Sequence, residues 1–202
     1  MEPLRAVRSI AVPLLVANVD TDLITPMRRI TGGTRHPLHH YAFEALRYLG
    51  GDGDTGRPDP DFPLNDARYA GASIMLTGPN FGCGSSRETA PMAIAALGFR
   101  VLIGSSFGDI FFNNCFQQGI LPITMDPATV AGLGGELSVD LEAQTVTAAD
   151  GTVTGFEVNP LRRACLLEGT DLIGMSLRQA ERIREWQERD RAVRPWVWET
   201  VG

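Results

Sequence analysis

The apolar positions of this chain fall into short runs separated by clusters of Gly, Pro, Asp and Asn. "AVPLLVA" (residues 11–17) predicts a first strand, ended by the turn Asn18-Val19-Asp20-Thr21-Asp22. "LITPMRRITGGTRHP" (23–37) carries prolines and a Gly-Gly pair and is expected to be mostly loop. In "LHHYAFEALRYLG" (38–50), Leu38, Ala42, Ala45, Leu46 and Leu49 recur at helical spacing, with Gly50 and Gly51 as the stop. Residues 50–70 are turn-rich and acidic, which predicts an irregular surface excursion.

The middle of the chain alternates between two periods. "ASIMLTG" (72–78), "RVLIGSSF" (100–107) and "ILPITM" (120–125) predict buried strands. "TAPMAIAALG" (89–98) predicts a helix, and "DIFFNNCFQQG" (109–119) a short helix or irregular turn. Pro91 is comfortable only in a first helical turn, where its missing N–H has no partner to lose. The helix therefore begins near Glu88 or Thr89, with Ser85 and Ser86 at or just before its end. Further on, "ELSVDLEAQTVT" (136–147), the turn "AADG" and "TVTGFEV" (152–158) predict antiparallel strands. "PLRRACLLEG" (160–169) and "SLRQAERIREWQERD" (176–190) predict helices, with Ser176 and Gln179 fitting a capping box. Leu177, Ala180, Ile183 and Trp186 form one apolar stripe, either core or partner surface. Strand–loop–helix units followed by antiparallel strands predict one layered α/β domain with a mixed sheet over residues 1–202, of which 160–202 are a helical C-terminal part.

Composition narrows the function classes. The chain has 202 residues, enough for one well-buried core, and a net charge of -6. That charge argues against nucleic acid and anionic membranes as partners, while leaving room for a local basic pocket. No apolar run is long enough to span a membrane. Arg5 and Arg8 before "IAVPLLVANV" faintly resemble a signal peptide, but Pro13, Asn18, Asp20 and Asp22 interrupt the pattern, and a cytoplasmic location is expected. Cys83, Cys115 and Cys165 are odd in number and widely spaced, so neither a disulfide framework nor a metal site of this chain's own is expected. His36, His39 and His40 read as surface or subunit contacts.

The stretch with the most chemistry is "NFGCGSSRE" (80–88). It lacks the lysine of a phosphate loop, the third glycine of a dinucleotide fingerprint and the GxSxG of a nucleophile elbow. What remains is an anion-binding corner or a plain strand-to-helix turn. Gly82 and Gly84 let backbone N–H groups face a ligand. Arg87 can grip a carboxylate through two parallel hydrogen bonds. Converging N–H groups and a guanidinium would favour a serine alkoxide.

"GPNFGCGSSRETAP" resembles the signature of the small subunit of 3-isopropylmalate dehydratase, in the aconitase superfamily. "NVDTDLITP" (18–26), residues 98–123, "LEAQTVT" and "NPLRRACLLEGTDLIGMSL" (159–177) extend the likeness over most of the chain. The resemblance implies a swivelling β/β/α domain that closes over a separate large subunit holding a 4Fe-4S cluster, with no cofactor bound by this chain. It implies Ser85 as the base that takes a proton from carbon, Ser86 as a hydrogen-bond donor to substrate, and Arg87 as a carboxylate grip. Arg28 and Arg29 compete for a second grip, and Arg28, two residues after Pro26, fits the pattern better. Asp20, Thr21, Asp22, Gly82 and Gly84 would shape the site loops. The implied activity is reversible dehydration of a small dicarboxylate, interconverting 2- and 3-isopropylmalate in leucine biosynthesis. Thr89 stands where relatives usually have histidine, which leaves a methylated malate or maleate as an alternative substrate, beside a non-catalytic anion-binding module.

Overall fold

The computed structural model describes residues 1–32 and 34–199. Gly33 of the expected loop and residues 200–202 of the expected helical tail lie outside the described residues. The chain opens with β1 (Ala6–Leu14), which starts earlier than the apolar run and stops before Leu15. Its first half alternates exposed and half-buried residues, a pattern that Arg8 and Ser9 disguise in the sequence. Two one-turn helices follow, α1 (Thr21–Ile24) and α2 (Met27–Thr31), where loop and turn were expected.

The helix expected over 38–50 is broken. Leu38–Tyr41 is a 3-10 turn, Phe43 is left-handed (φ 59), and only α3 (Glu44–Arg47) is α-helical. The chain then enters β2 (Tyr48–Leu49), which pairs with β3 (Arg57–Pro58). The physical reason is burial. Tyr41, Ala42, Phe43 and Glu44 are consecutive and all fully buried. Consecutive residues wrap most of the way round a helix, so a one-faced helix cannot bury all of them.

The remaining predicted elements follow in order, with two further helices that were not predicted, over Pro127–Gly132 and Leu172–Leu177. They are β4 (Ile74–Thr77), α4 (Thr89–Ala96), β5 (Val101–Gly104), α5 (Asp109–Gln117), β6 (Leu121–Thr124) and α6 (Pro127–Gly132), then β7 (Glu136–Asp140), β8 (Thr145–Thr147) and β9 (Val153–Gly155). The tail holds α7 (Pro160–Glu168), α8 (Leu172–Leu177) and α9 (Ala180–Val193). Ser176 is no cap: it lies inside α8 and its hydroxyl donates to the Leu172 carbonyl. Gln179 precedes α9 without a side-chain capping bond.

The main sheet has seven strands in the order β6-β5-β4-β1-β7-β8-β9. β1 is its seam. Ala11–Leu14 pairs parallel with β4, while Ala6–Ile10 pairs antiparallel with β7. Alternate strand residues feed opposite cores, as the two-residue period of a strand requires. Val12, Met75 and Leu102 join Ile94, Phe81 and Phe111 on one face. Ala11, Ile74, Leu76, Val101 and Ile103 join Val139 and Leu166 on the other. The fold is therefore a mixed-sheet α/β domain. The loops leaving the carboxyl ends of β1, β4 and β5 are brought together, the usual place for a site in a parallel sheet.

Candidate active site

The loop after β4 is stitched to its neighbours on both sides. The Gly82 N–H donates to the Val19 carbonyl (2.7 Å), and the Thr21 N–H donates to the Cys83 carbonyl (2.9 Å). On the other side the Phe81 N–H donates to Ser106, and the Gly108 N–H to Phe81. Gly82 is required by space as well as by φ, Gly84 by φ alone. Gly82 sits at φ 74, and a Cβ there would lie 2.1 Å from the Phe111 ring. Gly84 sits at φ 100 against Asp20 and Thr21. The two aspartates brace the facing loop. Asp20 accepts from the Leu23 N–H (2.7 Å) and Asp22 from the Met27 N–H (2.9 Å).

This framework presents Ser85 and Arg87 as a pair. The Ser85 hydroxyl oxygen accepts from the Arg87 backbone N–H (3.2 Å) and from Arg87 Nε (2.8 Å). The same guanidinium reaches Met27 Sδ (3.3 Å) and Asp22 (3.4 Å). Two donors converging on one hydroxyl oxygen, one of them cationic, are what lowers the cost of an alkoxide. Ser85 does not cap α4, which starts after Glu88 without a side-chain capping bond. Ser86 is exposed beside it, and both serines line a hollow closed by Gly108, Asp109 and Ile110 at the start of α5.

The two adjacent arginines of α2 part ways. The Arg29 side chain is 10% exposed and paired with Glu44, Asp52 and Asp54. It also stacks over the Tyr41 ring, 4.1 Å from its centroid. These bonds, led by that to Glu44, hold its protonated form firmly. Arg28 is 59% exposed and lines an open hollow with Asp20, Asp22, Leu23, Pro26, Met27 and Ala45. Burial pushes the Glu44 carboxyl up, but hydrogen bonds from Arg29, the Gly53 N–H and Arg28 outweigh it and hold it below the ordinary range.

Ser85, Arg87, Asp20, Asp22, Thr21, Gly82 and Gly84 thus share one contiguous region, and Arg28 lines its hollow with Asp22 and Met27, both of which Arg87 touches. The carboxylate partners of Arg29, buried Glu44 and partly exposed Asp52 and Asp54, were missed by sequence reasoning. Glu44 was hidden in a stretch read as an ordinary surface-and-core helix, and Asp52 and Asp54, which share Arg29 with it, in a stretch read as an irregular surface excursion. His40 is half-buried against the Gly53 carbonyl (2.9 Å) and Tyr48, while His36 is exposed. Cys115 is buried in the core and burial raises its thiol well above the usual range. Among the described residues, no group of three or more His, Cys, Asp and Glu side chains is placed to hold a metal ion. No helix among them is long and apolar enough to cross a membrane.

Comparisons with known proteins identify the family and the fold. The family model for the aconitase C-terminal domain matches residues 1–128, and the LeuD_N model matches residues 128–160. The 3-isopropylmalate dehydratase small subunit of Methylibium petroleiphilum is 46% identical over 215 residues, covering 100% of both chains. That of Rhodospirillum centenum is 46% identical, covering 98% of this chain and 99% of the relative. The crystal structure of 3-isopropylmalate dehydratase (leuD) from Methanocaldococcus jannaschii superposes with a TM-score of 0.66. At 24% identity over 89% of this chain and 99% of that one, it establishes the shared fold. The chain belongs to the 3-isopropylmalate dehydratase small-subunit family, built on the aconitase C-terminal domain.

Proposed function

We propose that this chain is the small subunit of a two-subunit 3-isopropylmalate dehydratase. That hydro-lyase of leucine biosynthesis interconverts 2- and 3-isopropylmalate by loss and re-addition of water. The observation that carries the reading is the Ser85 hydroxyl oxygen held by two Arg87 donors at 3.2 and 2.8 Å. Ser85, as alkoxide, takes the proton from the carbon beside a carboxylate, and the Arg87 donors stabilise the charge before transfer. The outer guanidinium nitrogens of Arg87, now on Met27 and a long contact to Asp22, turn to a substrate carboxylate. Arg28 grips the second carboxylate, and Ser86 donates to the substrate. Leu23, Pro26, Met27 and Ala45 give the hollow that Arg28 lines an apolar wall against which an alkyl group can lie.

The resemblance also implies a 4Fe-4S cluster. Cys115 and Cys165 are buried, and the acidic and histidine side chains form no ligand set among the described residues, so this chain's donors do not fit that group. We assign it to the large subunit. The near-complete relatives favour isopropylmalate over a methylated malate or maleate and over a non-catalytic module. Thr89, in place of the usual histidine, accepts a long bond through its carbonyl from the Thr25 hydroxyl (3.4 Å). Anaerobic reconstitution with the large subunit tests the reading. The purified chain alone is expected to be inert, and the complex to dehydrate 3-isopropylmalate faster than any methyl-substituted malate. Turnover by the chain alone, or a preference for the methyl substrate, would overturn it.

A further inference from the structure

Glu44 is a fully buried carboxylate whose every oxygen is engaged. Its Oε1 accepts from Arg28 Nε (3.0 Å) and Arg29 Nε (3.1 Å), and its Oε2 from Arg29 Nη2 (2.8 Å) and the Gly53 N–H (3.0 Å). The bonds to the two arginines are not equivalent in consequence. Arg29 has further partners in Asp52 (2.9 Å) and Asp54 (2.6 Å), so its guanidinium is consumed inside the fold. Arg28 is held only along one edge, by Glu44 and by the Gly51 carbonyl at Nη2 (3.0 Å). Among the described residues nothing bonds its Nη1, and the side chain lines the open hollow. The anchor also reaches the following loop: Tyr41 donates to Asp54 (2.7 Å) and accepts from the Arg35 and His36 N–H groups.

We propose that Glu44 is a positioning residue. It draws both arginines of α2 toward the body of the domain, buries Arg29, and aims the free end of Arg28 at the substrate carboxylate. This rests on the reading of Arg28 as a carboxylate grip. It makes the register of α2, and hence the choice between two neighbouring arginines, a consequence of one buried side chain far along the chain. A flexible arginine on a one-turn helix has many rotamers, and fixing one edge leaves the opposite end pre-aimed at little entropic cost.

A double-mutant cycle on the reconstituted complex tests this against a merely structural brace. Glu44→Gln keeps the shape and gives up the charge. Acting through a grip made equally in ground and transition states, it is expected to raise KM for 3-isopropylmalate about tenfold and to change kcat by less than about twofold. Arg28→Lys alone raises KM, and adding Glu44→Gln to it is expected to raise KM no further, because coupled residues are non-additive. If Glu44→Gln does not fold, Glu44→Asp, which keeps the charge and shortens the reach, takes its place in the cycle. Multiplying KM effects, or a loss confined to kcat, would overturn the proposal while the functional reading stands. An inert wild-type complex would remove the functional reading and this inference together.

Discussion

At the residue scale, the decisive contact is between Ser85 and Arg87. Ser85 lies outside α4 and packs no core, so Ser85→Ala is expected to cost about 1 kcal/mol, the worth of a turn hydrogen bond. Turnover of the reconstituted complex should fall at least about a hundredfold, the scale of a lost positioned base. Thermal melting and steady-state kinetics separate the two effects, and near-normal turnover would remove Ser85 from the chemistry. Arg87→Lys keeps the charge but loses the planar fork and the Nε–H that holds Ser85. Its kcat/KM is expected to fall at least about tenfold, whereas Arg8→Lys, on a solvated ion pair with Glu136, leaves it unchanged. Arg100 would not serve as such a control, since its guanidinium bonds the Gly119 and Glu2 carbonyls.

At the element scale, the loop after β4 works because it passes between two packed neighbours. Gly82→Ala would drive a methyl group into the Phe111 ring while holding a left-handed backbone. Overpacking and backbone strain together predict a loss of about 2–4 kcal/mol, read as a lowered denaturant midpoint. Gly84→Ala, whose Cβ meets nothing nearer than 3.5 Å, should lose less; equal losses would mean that strain alone sets the cost. How much of this was legible follows from the range of the forces involved. β4, β5 and β6 could be read because each is a short apolar run, buried throughout but for Thr124 at the end of β6 and bounded by turn residues. The glycine–serine–arginine loop could be read because its chemistry is local in sequence. The break at Phe43 could not, because it serves contacts with Phe62 and Phe81, distant in sequence. Nor could the fate of Arg29, whose three carboxylate partners stand 15, 23 and 25 residues away.

At the scale of the whole molecule, the C-terminal arm differs from the body that carries the site. The stripe of Leu177, Ile183 and Trp186 is exposed and contributes nothing to either core. No residue of α9 is buried. The arm's specific contacts are internal: Trp198 donates to Asp190 (2.9 Å), Arg194 pairs with the same carboxylate, and Arg191 stacks on Trp198. Ending the chain at Gln179 removes these contacts as a set and takes no residue from either core cluster. The melting temperature of the body is therefore expected to change by less than about 4 °C, equivalent to roughly 1 kcal/mol for a domain of this size. Calorimetry on the truncated chain checks this. A larger fall, or loss of a cooperative transition, would mean that α9 packs against the body in solution. A small one would leave the apolar stripe without a role in the stability of the isolated chain, as its exposure requires.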